Sequence, residues 1–452
     1  MRRHASWGLC LVTAATIVLG AAPVRAQGAR IVTLDDAIEI ALEHNVALLQ
    51  SRTSAELSQV AVSEAQMRFA PDLSITTSGA DSYGRYYSTA LGTYVDYPTK
   101  SLNAQATSGV NLFAGFHDVA ALRQARLERN ASRLDVARAE ETAVFTVIEN
   151  FLTLLSQRDQ LRVQRENLSA EEKLEQQIRD YVTAGARPSA DLYEQQANVA
   201  SARLAVIQAQ NAAATSELDL LRTVQLDPLG TYDFQGPSTE TLYSAEIGNP
   251  DDLIAQALER RPDLAAEEAR VRALEQNIHV AASGYWPNIS LAAGYGSNYT
   301  SDLPSDVHDQ LSAYRNGTVS LNIFIPIFDH GVTRSAVRRA ELQAQNERIA
   351  LDGARHDVEL QVKTGYLDYQ AARAELAAAE AGQRTARLAV EAAQERFKAG
   401  TAILVEVSEA RSRDELAESA LVTARYNFAL QSTFMKYYLG EIQGRTGSLP
   451  KG

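Results

Sequence analysis

The chain has 452 residues, 45% of them hydrophobic and 22% charged, with a formal net charge of −13 at pH 7. That length supports two or three ordinary domains or one elongated one, and the acidic balance argues against nucleic acid as a partner. The one cysteine, Cys10, excludes disulfides within the chain and lies in the amino-terminal stretch MRRHASWGLCLVTAATIVLGAAPVRAQ.

That stretch reads as a secretory signal peptide over residues 1–26. Arg2 and Arg3 give a basic start, Leu9 to Ala22 an apolar run, and Val24-Arg25-Ala26 a cleavage site. Its removal takes three arginines and no acid, moving the net charge to −16. No later stretch approaches the ~18 consecutive apolar residues of a membrane helix. The exported chain is therefore expected in the periplasm, outside the cell, or in an outer membrane as a β-barrel.

Thr33, followed by Asp35 and Asp36, is expected to cap a helix that runs to about Phe69 and stops before Pro71. A β-hairpin is expected over about 71–113. In its second strand, LNAQATSGVNLF, Leu102, Ala104, Ala106, Val110 and Leu112 face one way and Asn103, Gln105, Thr107 and Asn111 the other. A very long helix follows from near His117 to Ala184, roughly 100 Å, ended by Gly185 as a left-handed cap. Pro188 suits the first turn of the next helix, which runs to about Thr223. The long helix carries two apolar seams: Leu134, Ala137, Val144, Ile148, Phe151 and Leu155, and beside them Val147, Leu154, Leu161 and Leu168. Two seams let a helix pack on both sides, as in a ring of helices; a coiled-coil rod is the plainer alternative.

Residues 227–250, rich in proline, glycine and serine, read as a linker, and beyond them the pattern recurs. Asp35, Asp36, Ile38, Ala41, Leu42 and Glu43 reappear as Asp251, Asp252, Ile254, Ala257, Leu258 and Glu259, and Pro71 as Pro287. After a one-residue slip, Phe113, Arg123, Leu152 and Gly185 fall on Phe328, Arg338, Leu367 and Gly400. The chain is thus one unit written twice, over 27–226 and 251–440, with a tail at 441–452 expected to be disordered at its end. The second hairpin is expected over about 287–328, with NGTVSLNIFIP as its alternating strand.

Each strand is about ten residues, the length that crosses a bilayer at a tilt. Tyr83, Tyr86, Tyr87, Tyr94, Tyr97, Tyr295 and Tyr299 gather at one end of the strands, and Phe69, Phe113, Tyr285, Trp286 and Phe328 at the other. Two aromatic girdles of this kind flank a membrane barrel. Four strands do not close a barrel and an open sheet is not viable in lipid, so the barrel is expected to be shared between copies.

Two carboxylate pairs stand just past the glycine breaks: Glu406 and Glu409, and Asp191 and Glu194. Such pairs suit acid/base chemistry, a metal, the wall of a passage, or simply the first turn of a helix, where the dipole favours negative charge. The histidines are scattered, Asp306-Val307-His308-Asp309 reads as a solvated loop, and there is no nucleophile elbow or dinucleotide loop. Neither an enzyme nor a cofactor is expected.

The signal peptide, the duplication, hairpins after Phe69-Ala70-Pro71 and Tyr285-Trp286-Pro287, the long helices and the Ala399-Gly400-Thr401 break before Val405-Glu406-Val407 together resemble the TolC-like outer-membrane efflux channels. The resemblance covers essentially the whole mature chain. It implies a mainly α fold with a β-barrel part: duplicated helical hairpins forming a trimeric α-barrel tunnel, and four strands per chain in a shared 12-stranded barrel. It implies a passive exit duct for tripartite efflux or type I secretion, a homotrimer meeting outer-membrane lipid, a periplasmic adaptor and an inner-membrane pump. Glu406, Glu409, Asp191 and Glu194 would line the periplasmic entrance, their crowding making it cation-favouring and pH-sensitive. Gly185, Arg187, Pro188, Gly400 and Thr401 would meet the adaptor, Tyr285, Trp286, Phe113 and Phe328 would form a girdle, and linker and tail a belt around the tunnel. The family's lock pairs the aspartate at Asp191 with an arginine, but Ala402 stands at that place and Phe397 replaces a tyrosine, leaving Arg187 as a candidate substitute. A periplasmic coiled-coil adaptor and a structural coiled coil without a pore are the alternatives.

Overall fold

A computed structural model describes residues 30–89, 91–236 and 247–442. The expected signal peptide, the middle of the linker and the end of the tail lie outside the described residues.

The duplication is visible in the helices. α3 (His117–Thr183) and α8 (Val332–Lys398) are each 67 residues long. Each is preceded by two consecutive left-handed residues, Gly115 and Phe116 in the first half and His330 and Gly331 in the second. Glycine holds the first place in one turn and the second in the other, so the backbone bend recurs without its sequence. Gly115 is also sterically required, since a Cβ there would lie 2.5 Å from the Ser283 carbonyl oxygen.

The helix expected from Thr33 to about Phe69 is in fact two, because Asn45 breaks it. α1 (Leu34–His44) starts at a capping box between Thr33 and Asp36. α2 (Val46–Met67) starts at Asn45, whose side chain accepts the Leu48 N–H at 3.1 Å. The second half breaks at the matching place: α5 (Pro250–Arg260) and α6 (Pro262–Ala282) meet at Arg261. After each long helix comes a shorter one, α4 (Ser189–Val224) and α9 (Leu404–Tyr438).

Contacts order these helices side by side. α3 packs on α2 and α6 toward one end and on α4 and α9 toward the other, while α8 packs on α6 and α9. The layer is therefore four helices wide along its whole length, with the two long helices continuous and the shorter ones stacked end to end beside them. α3 packs on two sides, but the two expected seams do not divide between them: Phe151 of one and Val147 and Leu154 of the other lie in one cluster. Val147, Phe151 and Leu154 are buried with Ala37, Leu220 and Leu221, and Val144 and Phe145 with Ile442. Ala131 meets Ala266 and Ala269, small residues that let α3 and α6 approach closely.

At mid-length, β1 (Arg30–Thr33) pairs in parallel with β6 (Tyr232–Gln235), two strands without a clear sequence signal. Phe234 of β6 packs edge-on against Phe151 at 6.0 Å, so this part of the linker joins the core. An ion network lies nearby. Arg261, 5% exposed, donates to Asp263 at 2.6 and 3.1 Å and to Gln361 at 2.9 Å. Arg138 lies 3.7 Å from Asp263, donates to Glu141 at 2.8 Å and covers the Tyr437 ring at 4.0 Å. Five helices are thereby tied together where the shorter ones change over.

The sheet runs β2 (Ser74–Ser82), β5 (Thr99–Ala114), β7 (Asn288–Thr300), β8 (Asn316–Phe324), all antiparallel. Ile75 lies opposite Ala106 and Ala106 opposite Tyr295; Val319 lies opposite Ala293 and Leu321 opposite Leu291. The alternate positions pair Thr76 with Gln105, Gln105 with Gly296, and Gly296 with Asn316. One face is thus apolar and the other polar across all four strands. The alternation in β5 ends at a bulge between Asn111 and Phe113, which takes Leu112 out of register. Tyr295 sits within β7 rather than at its tip. Among the described residues, β2 and β8 each have one edge without a partner strand.

Two short elements occupy the hairpin loops. β3 (Tyr86–Ser88) pairs with β4 (Thr93–Val95) in the first. In the second, where a solvated loop was expected, α7 (Val307–Ala313) begins at Asp306, which accepts the Asp309 N–H at 2.8 Å.

Burial works against the charge on Asp263, but the Arg261 hydrogen bonds and Arg138 outweigh it and hold the carboxyl below its ordinary range. A depressed carboxyl contributes stability above its unfolded pKa and loses it as pH falls through the folded one. Asp263→Asn is expected to cost about 1–2 kcal/mol at pH 7. In thermal melts across pH, the gap to the parent should close on moving from pH 7 into the acid range below ordinary carboxyl values.

Candidate functional site

The helix tips opposite the sheet carry the candidate entrance residues. Both tips are built by the same chain reversal. Gly185 and Gly400 have φ of +72° and +75°. Ala186 N–H reaches Tyr181 O at 2.8 Å, and Thr401 N–H reaches Arg396 O at 2.9 Å. These are Schellman closures, which satisfy the last helical carbonyls and demand a left-handed residue. Pro188 is the N-cap residue of α4, one place before the first turn expected for it. Thr401 also donates its hydroxyl to Arg396 O at 3.0 Å. Beneath the turns Leu174, Ile178, Phe397, Leu404 and Val407 form a buried cluster that joins the two tips. Ala402 is buried in it, so the position where the resemblance led one to expect an arginine is used for packing.

The carboxylates do not converge within one chain; among the described residues no three acidic, histidine or cysteine side chains form a metal-binding group. Each of three instead meets an arginine. Arg187 lies 3.6 Å from Asp191, and its guanidinium stands 4.3 Å over the Phe397 ring. Arg396, at the end of α8, meets Glu406, in the first turn of α9, at 3.0 Å. Arg413 meets Glu409 at 3.0 Å, one turn along the same helix. Glu194 is exposed on α4. Arg396 and Arg413 were missed from the sequence, although the four-residue spacing of Glu409 and Arg413 and the basic last turn of α8 are both readable. Above the tips, buried Glu171 is held by Arg411 at 3.3 Å and by the Gln195 amide, a polar link between α3, α9 and α4.

The aromatic candidates lie at the junction between sheet and helices. Phe113 meets Phe116 edge-on at 5.0 Å, and Phe116 meets Trp286 edge-on at 5.6 Å. Tyr285, Trp286 and Phe328 are 57%, 52% and 77% exposed. Phe116, not singled out from the sequence, completes the group.

A family model described as outer membrane efflux protein matches residues 37–224 and 253–441, one match on each half. The chain belongs to that family. It is 23% identical over 425 residues to the outer membrane efflux protein BepC of Brucella suis, covering 93% of this chain and 88% of that one. To the outer membrane protein TolC of Vibrio cholerae it is 24% identical over 325 residues, 70% of this chain and 72% of the relative. The outer membrane protein VceC of Vibrio cholerae shares the fold, with a TM-score of 0.76 at 17% identity over 90% of this chain and 96% of that one. The outer membrane efflux family places the chain in the outer membrane, extending into the periplasm. Its relatives are channel proteins, and the adaptor and structural coiled-coil alternatives fall with the match.

Arg187 joins the two tips of one family member through a charge and a ring. Arg187→Ala, Phe397→Ala and the double variant form a cycle, read by hydrogen exchange of the tip amides. A coupling of about 0.5–2 kcal/mol is expected.

Proposed function

We propose that three copies of the chain close into one passive duct through the outer membrane and across the periplasm, with the helix tips as its entrance. The observation that carries this reading is the open sheet. It has an apolar face, a polar face and two unpaired edges, β2 and β8. In lipid each unpaired backbone group costs several kcal/mol, so the edges must pair with other copies. β8 of one copy and β2 of the next run antiparallel when the copies follow one another around a ring. Eight strands from two copies would be filled by side chains, while twelve leave a passage. The helix layer has matching loose ends. Leu342, Ile349, Leu360 and Leu367 of α8 are exposed on one flank, and Leu57 and Val60 of α2 with Leu204 and Ile207 of α4 on the other.

The duct would serve tripartite efflux or type I secretion. An adaptor would meet Gly185, Arg187, Pro188, Gly400 and Thr401, and an inner-membrane pump would supply the energy. Three chains would bring Asp191, Glu194, Glu406 and Glu409 around the entrance. Arg187, Arg396 and Arg413 beside them make this a set of ion pairs with a surplus of acid rather than a ring of bare carboxylates. Moderate cation preference follows.

The detergent-extracted protein in a planar bilayer under a salt gradient should show small, cation-selective steps. Glu406→Gln/Glu409→Gln should lower the selectivity, most at low salt where screening is weak. Steps with unchanged selectivity would return the glutamates to a helical first turn, and the absence of both steps and trimers would overturn the duct.

A further inference from the structure

At the far end of the sheet from the helices, one carboxylate gathers three hydroxyls from the other hairpin. Asp302, just beyond β7, accepts from Tyr86 at 2.8 and 3.1 Å, from Ser88 at 2.7 Å and from Thr99 at 2.7 Å. Ser88 and Thr99 are 2% and 7% exposed, and Asp302 and Tyr86 are half-buried, so the bonds are partly covered from water. Bonds to a charged acceptor are about twice as strong as neutral ones.

The register gives the side on which this happens. Ser101 pairs with Thr300, and Lys100 O accepts the Ser301 N–H at 2.9 Å, so Thr99 falls opposite Asp302. Thr99 shares its face with Ser101, Asn103 and Gln105, and Asp302 with Thr300, Asn298 and Gly296. That is the polar face. The β3–β4 hairpin is therefore drawn toward the polar side of the sheet. It too has two faces: Ser88 and Val95 are buried, and Tyr87 and Tyr94 point away, ring to ring at 5.3 Å.

The seat is rigid. Gln310 of α7, 1% exposed, donates to Thr300 O at 2.9 Å and to Ser305 O at 2.8 Å and accepts from Thr300 N–H at 2.9 Å. These bonds fix the loop that carries Asp302 to the end of β7.

We propose that the β3–β4 hairpin is a lid over the exterior mouth of the duct, and that Asp302 is the positioning residue that latches it. The proposal rests on the duct reading, which makes the polar face the lumen wall. Three such lids narrow the exit that the barrel alone would leave open. The latch is set at neutral pH: the hydroxyls of Ser88, Thr99 and Tyr86 hold the Asp302 carboxyl below its ordinary range. Burial and the Asp302 bond push the Tyr86 phenol up to about 12, keeping it a donor.

The test uses the absence of native thiols from the expected mature chain. Gln105→Cys puts a thiol on the polar face below the lid, and Tyr83→Cys puts one on an exposed loop position. Intact cells carrying one or the other are labelled from outside with a small methanethiosulfonate and with a bulky polyethylene-glycol maleimide. Adding Asp302→Ala is expected to speed bulky labelling of the Gln105→Cys protein about tenfold or more, the change in open population that losing a charge-assisted bond brings. Labelling of the Tyr83→Cys protein and the heat stability of both should not move. Asp302→Asn, which keeps an acceptor, should lie between. Equal bulky labelling of the thiol below the lid with and without Asp302 would overturn the lid. Failure of the small reagent to reach that thiol in every background would overturn the lumen assignment, and the duct reading with it.

Discussion

Among the described residues, backbone groups on the outer edges of β2 and β8 have no partner strand within one chain. Water could satisfy them, but lipid does not, and the proposed duct puts the apolar face of the sheet in lipid. Nearly every other feature is intelligible from that conflict. The strands are long enough to cross a bilayer, the aromatic side chains at the sheet–helix junction are exposed, and the flanks of the helix layer carry unused leucines and isoleucines on the same two sides as the open strands. On the duct reading, the open edges of this sheet are where further copies of the chain would add.

The duplication explains how strands and helices stay in step. Two helices of equal length, each entered through a pair of left-handed residues and left through a glycine turn, deliver two hairpins to one end and two tips to the other. Between them, the parallel pair of β1 and β6 and the ion network of Arg138, Glu141, Arg261 and Asp263 hold the changeover of the shorter helices. Burial pushes the Glu141 carboxyl up even with Arg138 beside it, whereas Asp263, facing two arginines, is held down. The network is thus polarised toward Asp263, where α6 begins.

Much of this was legible in the sequence because it rests on periodicity. The seven-residue and three-four spacings gave α3 and its packing on two sides, though not which residues face which side, and the two-residue alternation gave the polar and apolar faces of the sheet. Glycine and proline gave the ends. What escaped was set by single side chains or by distant partners. Asn45 splits a helix whose apolar pattern runs straight through it. β1 and β6 are four residues each and exist only because they find one another across two hundred positions. At the tips the carboxylates and Arg187 stand out in the sequence, whereas the pairing of Arg396 with Glu406 and of Arg413 with Glu409 emerges only in the structure. A charge pattern read one sign at a time overstates the net charge at the tips. Asp302 gave no signal at all, since its three partners come from the other half of the chain.

The central claim is that edges β2 and β8 of successive copies pair to close a ring of three. Ser320→Cys on β8 can be combined in turn with Ser74→Cys, Thr76→Cys, Ser78→Cys or Ala80→Cys on β2, all on the polar face. With Cys10 in the expected signal peptide, the introduced thiols are the only ones in the expected mature chain. After oxidation in outer membranes, one of these registers should give two-chain and three-chain products on a denaturing gel and nothing larger. No cross-link between chains at any register, or a ladder that stops at two or continues beyond three, would contradict the account.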